Sequence, residues 1–346
     1  MRSSTSSSDA VERAPDLSWI RMWLLAILLA ITTIGSYEIL LRANGHRPTI
    51  LDSPELWTLH RRQVQPRQVV LLGASRMQIG FSVDAFRERY PDTPITMLAV
   101  AATPPGGALF ELSNDDSFEG LVICSLPNAD SLNLANWPAM APYVDTARTA
   151  PFYSSLETRL ACTVDASLAS ADSRLSLKSV AREILLERRL PKPRYINVRF
   201  DRCLDADFQL VDESELEYLR ARYFGSPIPD GYAETREAAR SGWLESVDAV
   251  ADCVKRIRDR GGEVVFAFLP VDEALFEKKE QEYPRELYWD VFAERVGAPT
   301  IHFRDVPGMN VPTPEGSHVD VRDKGRMTTA LIAKLEELGV IPLSPY

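Results

Sequence analysis

Histidine and cysteine are both scarce in this sequence, at four residues each in a chain of 346. The cysteines lie far apart, without a Cys-x-x-Cys pair and without a histidine at the spacing of metal ligands, so the sequence contains neither a zinc motif nor a redox motif. We therefore expect no metal and no cofactor. Cys124 lies in an apolar run and is expected to be a packed thiol. Cys162 and Cys203 fall in a polar region, where they either stay reduced or form a disulfide in an oxidising compartment.

Positive charge is also in short supply. The chain has 39 Lys and Arg against 49 Asp and Glu, for a formal net charge of -10, and its basic residues are interleaved with acidic ones. Because a nucleic-acid surface needs a basic stripe, we expect no nucleic-acid partner. No Gly-x-x-x-x-Gly-Lys loop occurs either, and Gly106-Gly107 is a lone pair after prolines, which disfavours a phosphate-binding protein.

One long apolar run is present near the N-terminus. No charged residue occurs from Met22 to Tyr37, and the apolar pattern continues past Glu38 to Arg42. Since about 20 residues, at about 1.5 Å each, cross a bilayer, residues 18–42 are predicted to be a single transmembrane anchor. A cleaved signal peptide is the alternative, but no small-x-small cleavage site follows the apolar core.

The charges that flank this run do not decide its orientation. Arginines after the run outnumber those before it, which by the positive-inside rule leans against an outside C-terminus. Those before it are Arg2, Arg13 and Arg21, and those after it are Arg42, Arg47, Arg61, Arg62 and Arg67.

The rest of the chain divides by composition. Residues 1–17 are rich in serine and are predicted to be a disordered tail. Residues 43–67 contain scattered prolines and charges and are predicted to be a membrane-proximal connector. The stretch from about 140 to 240 is rich in charge and broken by prolines, and is predicted to be a mostly helical insertion in a domain that covers 68–346. An insertion after the third strand lies near the carboxyl edge of a sheet, where it would be a lid, a partner surface or plain packing.

Five apolar, β-branched runs are typical of buried parallel strands. They are Val69–Gly73, Ile95–Val100, Leu121–Ser125, Glu263–Leu269 and Pro299–Phe303. Amphipathic segments alternate with them, namely Val83–Tyr90, Trp243–Arg260, Arg285–Val296 and Asp323–Leu338. Ser82 and Ser241 are predicted N-caps, and Gly261 and Gly339 predicted C-terminal glycines. The alternation predicts an α/β fold, a three-layer α/β/α doubly wound parallel sheet of the flavodoxin-like kind.

Ser75 is the candidate nucleophile. It closes the first strand in Gly73-Ala74-Ser75-Arg76, and a serine at such a turn has its hydroxyl at the carboxyl edge of the sheet, beside backbone N–H groups that can hold an oxyanion. A bare Gly-x-Ser is common by chance, so an ordinary turn serine is the alternative. Arg76 either binds an anionic substrate or acyl donor, or is a surface arginine paired to the insertion.

His318 is the candidate base. It lies between the fifth strand and the last helix, which returns it to the same edge as Ser75. Glu315, three residues earlier, can reach the imidazole Nδ1 and leave Nε2 to take the serine proton, and Asp320 is a rival for that role. His46 and His60 lie in the connector, and His302 is expected to be a structural histidine within a strand.

Gly-x-Ser after the first strand and carboxylate-x-x-His before the last helix together resemble the SGNH, or GDSL-like, hydrolase superfamily. More narrowly, the chain is similar to membrane-anchored SGNH-like proteins of bacterial envelope and exopolysaccharide acylation. Further similar stretches are Glu38-Ile39-Leu40-Leu41-Arg42, Leu98-Ala99-Val100 with Thr103-Pro104, and Tyr288-Trp289-Asp290 before Ile301-His302-Phe303. The resemblance implies a Ser75 nucleophile, a His318 base, and an extracytoplasmic, periplasmic domain.

The resemblance also implies an oxyanion hole, from which this chain departs. The glycine that supplies the second donor aligns with Ala102, which keeps the N–H but restricts the backbone. The asparagine that supplies the third donor is matched best by Asn128, in Ser125-Leu126-Pro127-Asn128, without the usual preceding glycine.

Two functions are consistent with these residues. One is a serine esterase or O-acyltransferase that acts on envelope carbohydrate, with carbohydrate or acyl-donor substrates. The other is a catalytically lapsed binding or assembly subunit of a membrane complex, with a protein partner at residues 140–240. The Tyr288-Trp289 pair resembles a sugar platform, but an aromatic pair on an amphipathic helix is more often core.

Overall fold

A parallel sheet forms the centre of the molecule in the computed structural model, which describes residues 17–126, 129–225, 228 and 231–341. The strands are β1 (Val69–Leu72), β2 (Ile95–Met97), β3 (Leu121–Ser125), β4 (Ile196–Val198), β5 (Leu204–Ala206), β6 (Glu263–Phe268) and β7 (Thr300–His302). Five of them pair in parallel in the order β2-β1-β3-β6-β7, while β4 and β5 form an antiparallel hairpin. The strand order is that of the flavodoxin-like doubly wound sheet, so the predicted α/β class is confirmed.

Helices precede, follow and interrupt the sheet. They are α1 (Leu17–Ala43), α2 (Pro54–Arg61), α3 (Ser75–Gly80), α4 (Val83–Arg89), α5 (Gly106–Ser113), α6 (Ala141–Thr149), α7 (Phe152–Ser167), α8 (Leu177–Glu187), α9 (Glu213–Phe224), α10 (Tyr232–Asp259), α11 (Glu273–Glu282), α12 (Trp289–Arg295) and α13 (Lys324–Glu337). Leu71 and Leu72 of β1 show why helices cover both faces, since neighbouring strand residues point to opposite sides. Leu71 packs with α4, α11 and α13, and Leu72 with α2, α5, α10 and α12.

Most predicted element ends agree with the structure. Ser82 caps α4 by accepting a hydrogen bond from the Ala85 N–H at 3.2 Å, and Gly261 and Gly339 follow their helices at φ +93° and +67°. The N-cap predicted at Ser241 is wrong, because it lies inside α10, which begins at Tyr232. The residues before Ser241 are rich in Ala, Glu and Arg, which are strong helix formers, and they carry the helix through the expected start.

Residues 43–67 belong to the folded domain, which corrects the prediction of a connector. Pro54 begins α2, and Ser53 caps it by accepting from the Leu56 N–H at 3.3 Å. Trp57 is fully buried, and its indole N–H donates to the carbonyl of Leu98 at 3.0 Å. The indole group therefore joins this segment to the end of β2.

The 140–240 insertion is mostly helical, as predicted, but it also contains the β4–β5 hairpin, which the sequence analysis missed. Arg202, in the hairpin turn, is fully buried and pairs with Asp52 at 2.7 Å. The guanidinium also donates to the carbonyl of Met97 at 2.9 Å. The hairpin is thus held against the carboxyl end of β2 by a buried cation.

All four cysteines are free thiols. Cys203 is buried in the main core, whereas Cys162, on α7, packs against Ile50, Leu56 and Leu59. The two residues occupy different clusters, so the alternative of a disulfide between them is wrong. Burial raises the pKa of the Cys203 thiol to about 12.

The apolar helix α1 is long and apolar enough to cross a membrane, by length and composition. Its C-terminal end contacts the insertion. Glu38 accepts hydrogen bonds from the N–H groups of Ala169 and Ser170, each at 2.9 Å, and the Tyr37 hydroxyl donates to the carbonyl of Leu175 at 2.6 Å. These contacts fix the end of α1 to the segment between α7 and α8.

Candidate active site

Ser75 is the first residue of α3, directly after the turn that ends β1. Gly73 in that turn has φ +148°, and a Cβ there would lie 2.9 Å from both the Met77 Cβ and the Ser125 Oγ. Only glycine lets the chain turn this tightly, and the turn places the serine at the carboxyl edge of the sheet, between β2 and β3.

His318 and Glu315 lie on the loop between β7 and α13. Gly316, at φ +103°, bends this loop, and its carbonyl accepts from the Asp272 N–H at 2.9 Å. The loop brings His318 Nε2 to 2.8 Å from the Ser75 Oγ, while Nδ1 hydrogen-bonds to Glu315 Oε1. The three residues that the sequence analysis singled out therefore meet, although 243 positions separate Ser75 from His318.

The hydrogen bonds define the direction of proton transfer. An ionised carboxylate can only accept, so the hydrogen on Nδ1 is assigned to the bond with Glu315, and Nε2 is left to accept from the Ser75 hydroxyl. Glu315 and His318 are both buried. Solvent therefore competes little with either bond, and the arrangement is that of a nucleophile, a base and an orienting carboxylate.

Asp320, the rival for the orienting role, is engaged elsewhere. Its carboxylate accepts from the Phe208 N–H at 3.0 Å and from the Arg322 Nε at 2.6 Å. These bonds, and the Arg322 charge, hold the pKa of Asp320 below its ordinary value in spite of burial. Asp320 stabilises the loop that carries His318 by tying it to the insertion.

Arg76 is buried, so the alternative of a surface arginine is wrong. Its Nε donates to the Ser317 Oγ at 3.0 Å, and its guanidinium lies 6.0 Å from the centre of the Phe268 ring. Burial lowers the pKa of Arg76 to about 10, while Tyr223 and Glu315 act in the opposite direction. A buried cation therefore interacts with the buried Glu315 carboxylate beside the nucleophile.

Tyr223, at the end of α9, is a site residue that the sequence analysis missed. Its hydroxyl lies 3.3 Å from His318 Nδ1, and the two rings meet edge to face with centroids 5.5 Å apart. Burial, reinforced by Glu315, raises the pKa of Tyr223 to about 12, so the phenol is neutral. A Tyr in a charged helix carries no sequence signal for this contact, because the contact depends on how the insertion folds back.

The insertion reaches the candidate site through the C-terminal end of α9. Arg220 donates to the carbonyl of Pro314 at 2.9 Å, and the Phe224 ring lies against Gly316. Lys278 of α11 donates to the carbonyl of Phe224. Part of the 140–240 insertion therefore packs directly against the His318 loop.

Ala102 lies in the loop after β2, near the end of β1, since the Val100 N–H donates to the carbonyl of Gly73 at 3.1 Å. Its φ is +56°, in the left-handed region that glycine adopts most readily. The alanine thus has a glycine-like backbone conformation, at a cost of about 1–2 kcal/mol. Asn128, the other predicted oxyanion donor, lies outside the described residues.

The remaining aromatic and histidine predictions concern the core. Tyr288 is buried against Trp243, with ring centroids 4.7 Å apart, and the half-buried Trp289 meets Phe268 edge-on, so both rings pack against the core. His302 stacks on Phe268 at 5.0 Å, and burial lowers the pKa of His302 to about 4. The prediction of a structural histidine is confirmed.

Comparison with known proteins does not assign the chain to a class. No family model matches the sequence, and no curated protein matches it.

Proposed function

We propose that this protein is a serine esterase or O-acyltransferase that acts on envelope carbohydrate. The observation that carries the proposal is the 2.8 Å contact between the Ser75 Oγ and His318 Nε2, with Glu315 bonded to the other ring nitrogen. A nucleophile, its base and the residue that orients the base are the minimum set for acyl transfer through a serine.

The chemistry follows from these positions. The Ser75 oxygen attacks the acyl carbon of an ester while its proton passes to His318 Nε2. The resulting imidazolium is stabilised by Glu315, and the oxyanion is held by backbone N–H groups at the turn, with Ala102 as a further donor. When the tetrahedral intermediate collapses, the leaving alcohol takes the proton from Nε2. Water or a sugar hydroxyl then attacks the acyl carbon and gives its proton to Nε2. The Ser75 oxygen leaves and takes that proton, which restores the free serine.

The assignment to the SGNH superfamily, and the carbohydrate substrate, rest on the resemblance in sequence order. What supports this part of the proposal is a serine at the turn after the first strand and a Glu-x-x-His in the loop before α13. The periplasmic placement of the domain and the retention of α1 as an anchor belong to the same proposal. Alkaline phosphatase fused after Tyr346 is expected to be active in cells, whereas activity only from a cytoplasmic reporter contradicts this orientation.

A fluorophosphonate that labels activated serines tests the enzymatic part. The full-length chain in detergent is expected to react, and Ser75→Ala and His318→Ala to lose the label. Ser125→Ala is the matched control, since Ser125 ends the neighbouring strand and should label as the parent does. A parent protein that stays unlabelled from mild acid to mild base contradicts the proposal.

The second candidate is a subunit that keeps the fold without the chemistry. One observation favours it: the sequence lacks the glycine at Ala102 and the glycine before Asn128 that the resemblance requires. In that case the parent chain binds the same carbohydrate without reacting with it, and Ser75→Ala leaves the function of the membrane complex intact.

A further inference from the structure

One face of α7 is apolar and exposed. Phe152, Leu156, Leu160 and Val164 recur every four residues, which places them on one side of the helix, and Tyr153 lies beside them. Phe152 is 92% exposed. The opposite side of α7, with Cys162, packs against α2. The helix is thus held by one side and leaves an apolar stripe uncovered.

The next helix, α8, is also largely exposed. Within the described part of the chain, Val180 is the one buried residue of α8. Leu177, Ile184 and Leu185 fall on a common face, and Leu185 is 79% exposed. The helix has 11 residues, and helices shorter than about 12–15 residues are marginal in water without a packing partner. A further surface is therefore needed to cover it.

The charge around α8 differs from that of the whole chain. Residues 173–194 contain seven Lys and Arg but two Glu, in a protein with a net charge of -10. Lys178 and Arg182 lie along one edge of the apolar face of α8, and, with Arg188, they have no ion-pair partner among the residues that the structure describes. Exposed leucines bordered by unpaired cations match the chemistry of an anionic lipid surface.

The position of these helices relative to α1 supports the same surface. Arg42 donates to the carbonyl of Ser167, the last residue of α7, at 2.8 Å. Leu175, two residues before α8, packs against Leu41 and Tyr37 of α1. The end of α7 and the start of α8 therefore meet the apolar helix where it joins the domain.

The geometry points to a second membrane contact: α7 and α8 lie on the bilayer that α1 crosses, with their exposed leucines in the acyl boundary and the cations of α8 on anionic phospholipid headgroups. This inference rests on the proposed role of α1 as an anchor. It adds a surface that binds lipid in the plane of the membrane, next to a helix that spans it.

Lipid-dependent fluorescence on the full-length chain tests the inference. Leu160→Cys and Leu185→Cys, each in a Cys162→Ala background that leaves the three buried thiols, are labelled with an environment-sensitive dye and reconstituted in vesicles of phosphatidylcholine and phosphatidylglycerol. Both labels are expected to shift to the blue and to be quenched by nitroxide-bearing acyl chains. With phosphatidylcholine alone, quenching at Leu185→Cys should weaken, since the cations lose their partners.

Thr329→Cys is the matched control, because it is exposed on α13, on the other face of the sheet, and its label should stay in water. Labels on α7 and α8 that behave like the control overturn the inference and leave this face to a protein partner or a second copy. Alkaline carbonate extraction tests α1 separately. A chain that leaves the membrane pellet contradicts the anchor, and with it the second contact, whatever the activity of Ser75.

Discussion

Ala102 combines an unfavourable backbone conformation with a position beside the candidate nucleophile. Its φ of +56° costs an alanine about 1–2 kcal/mol, which a glycine does not pay. We expect Ala102→Gly to raise the free energy of unfolding by about 1 kcal/mol, measured by urea denaturation. Ala101→Gly, at the neighbouring position without a positive φ, should lower it by about 0.4–1 kcal/mol. Equal losses in both variants would contradict a strained Ala102.

Tyr223 is expected to assist proton transfer to His318 without being essential for that step. A neutral hydrogen bond contributes about 0.5–1.5 kcal/mol, so Tyr223→Phe should slow fluorophosphonate labelling by between about twofold and tenfold. Tyr218→Phe, an exposed tyrosine on the same helix, should leave the rate unchanged. An unchanged rate in Tyr223→Phe would mean that the 3.3 Å contact has no role in proton transfer.

The residues of the candidate site differ in how far the sequence predicts them. Ser75, Glu315 and His318 could be predicted because Ser75 begins the helix after a strand and the other two lie in a loop between a strand and a helix, at the carboxyl edge of the sheet, which brings them together. Tyr223 could not, since its position depends on the path of a long insertion. The burial of Arg76 could not be predicted either. An arginine after a turn is usually exposed, and the residues that surround this one, Phe268 and Ser317, are distant in sequence.

At the scale of elements, the turn from β1 into α3 tolerates little change. A Cβ at Gly73 meets Met77 and Ser125 at 2.9 Å, so Gly73→Ala is expected to lower the free energy of unfolding by about 1–3 kcal/mol and to abolish labelling of Ser75. Gly242→Ala is the contrasting variant. Gly242 lies within α10 with open space around it, so alanine there should raise stability by about 1 kcal/mol. Chemical denaturation of both variants compares these effects, and a stable, labelled Gly73→Ala would contradict the steric argument.

The sheet strands were predictable and the β4–β5 hairpin of the insertion was not, for a physical reason. Buried parallel strands are continuous apolar runs, and β3 matches its predicted range while β1, β6 and β7 differ by one or two residues at their ends. The β4–β5 hairpin is short, and its contacts with the rest of the domain, such as the ion pair between Arg202 and Asp52, join residues that are distant in sequence. No local sequence pattern predicts such a contact.

At the scale of the whole molecule, buried neutral histidines make the fold sensitive to acid. Burial lowers the pKa of His302 from 6.5 to about 4, so the unfolded chain binds a proton before the folded chain does. The contribution of neutral His302 to the free energy of unfolding is complete above pH 6.5. We expect the free energy of unfolding to fall by up to about 3 kcal/mol as the pH falls from 6.5 to about 4. His302→Phe keeps a stacked ring and should make the pH dependence of urea unfolding between pH 7 and 4 less steep, with half-buried His60, whose pKa is also lowered to about 4, supplying part of the remainder. An equally steep dependence would contradict this origin.

The hydrogen bonds from Ala169 and Ser170 to Glu38 limit how far the domain, and with it Ser75, can move relative to α1. A domain joined to an apolar helix by a loose tether takes many positions relative to that helix, but here hydrogen bonds fix the domain to the last turns of α1. With α1 in a membrane, Ser75 would work at a single elevation and in one orientation. Residues inserted after Arg42 would then not move Ser75 further from the bilayer as long as the hydrogen bonds to Glu38 hold.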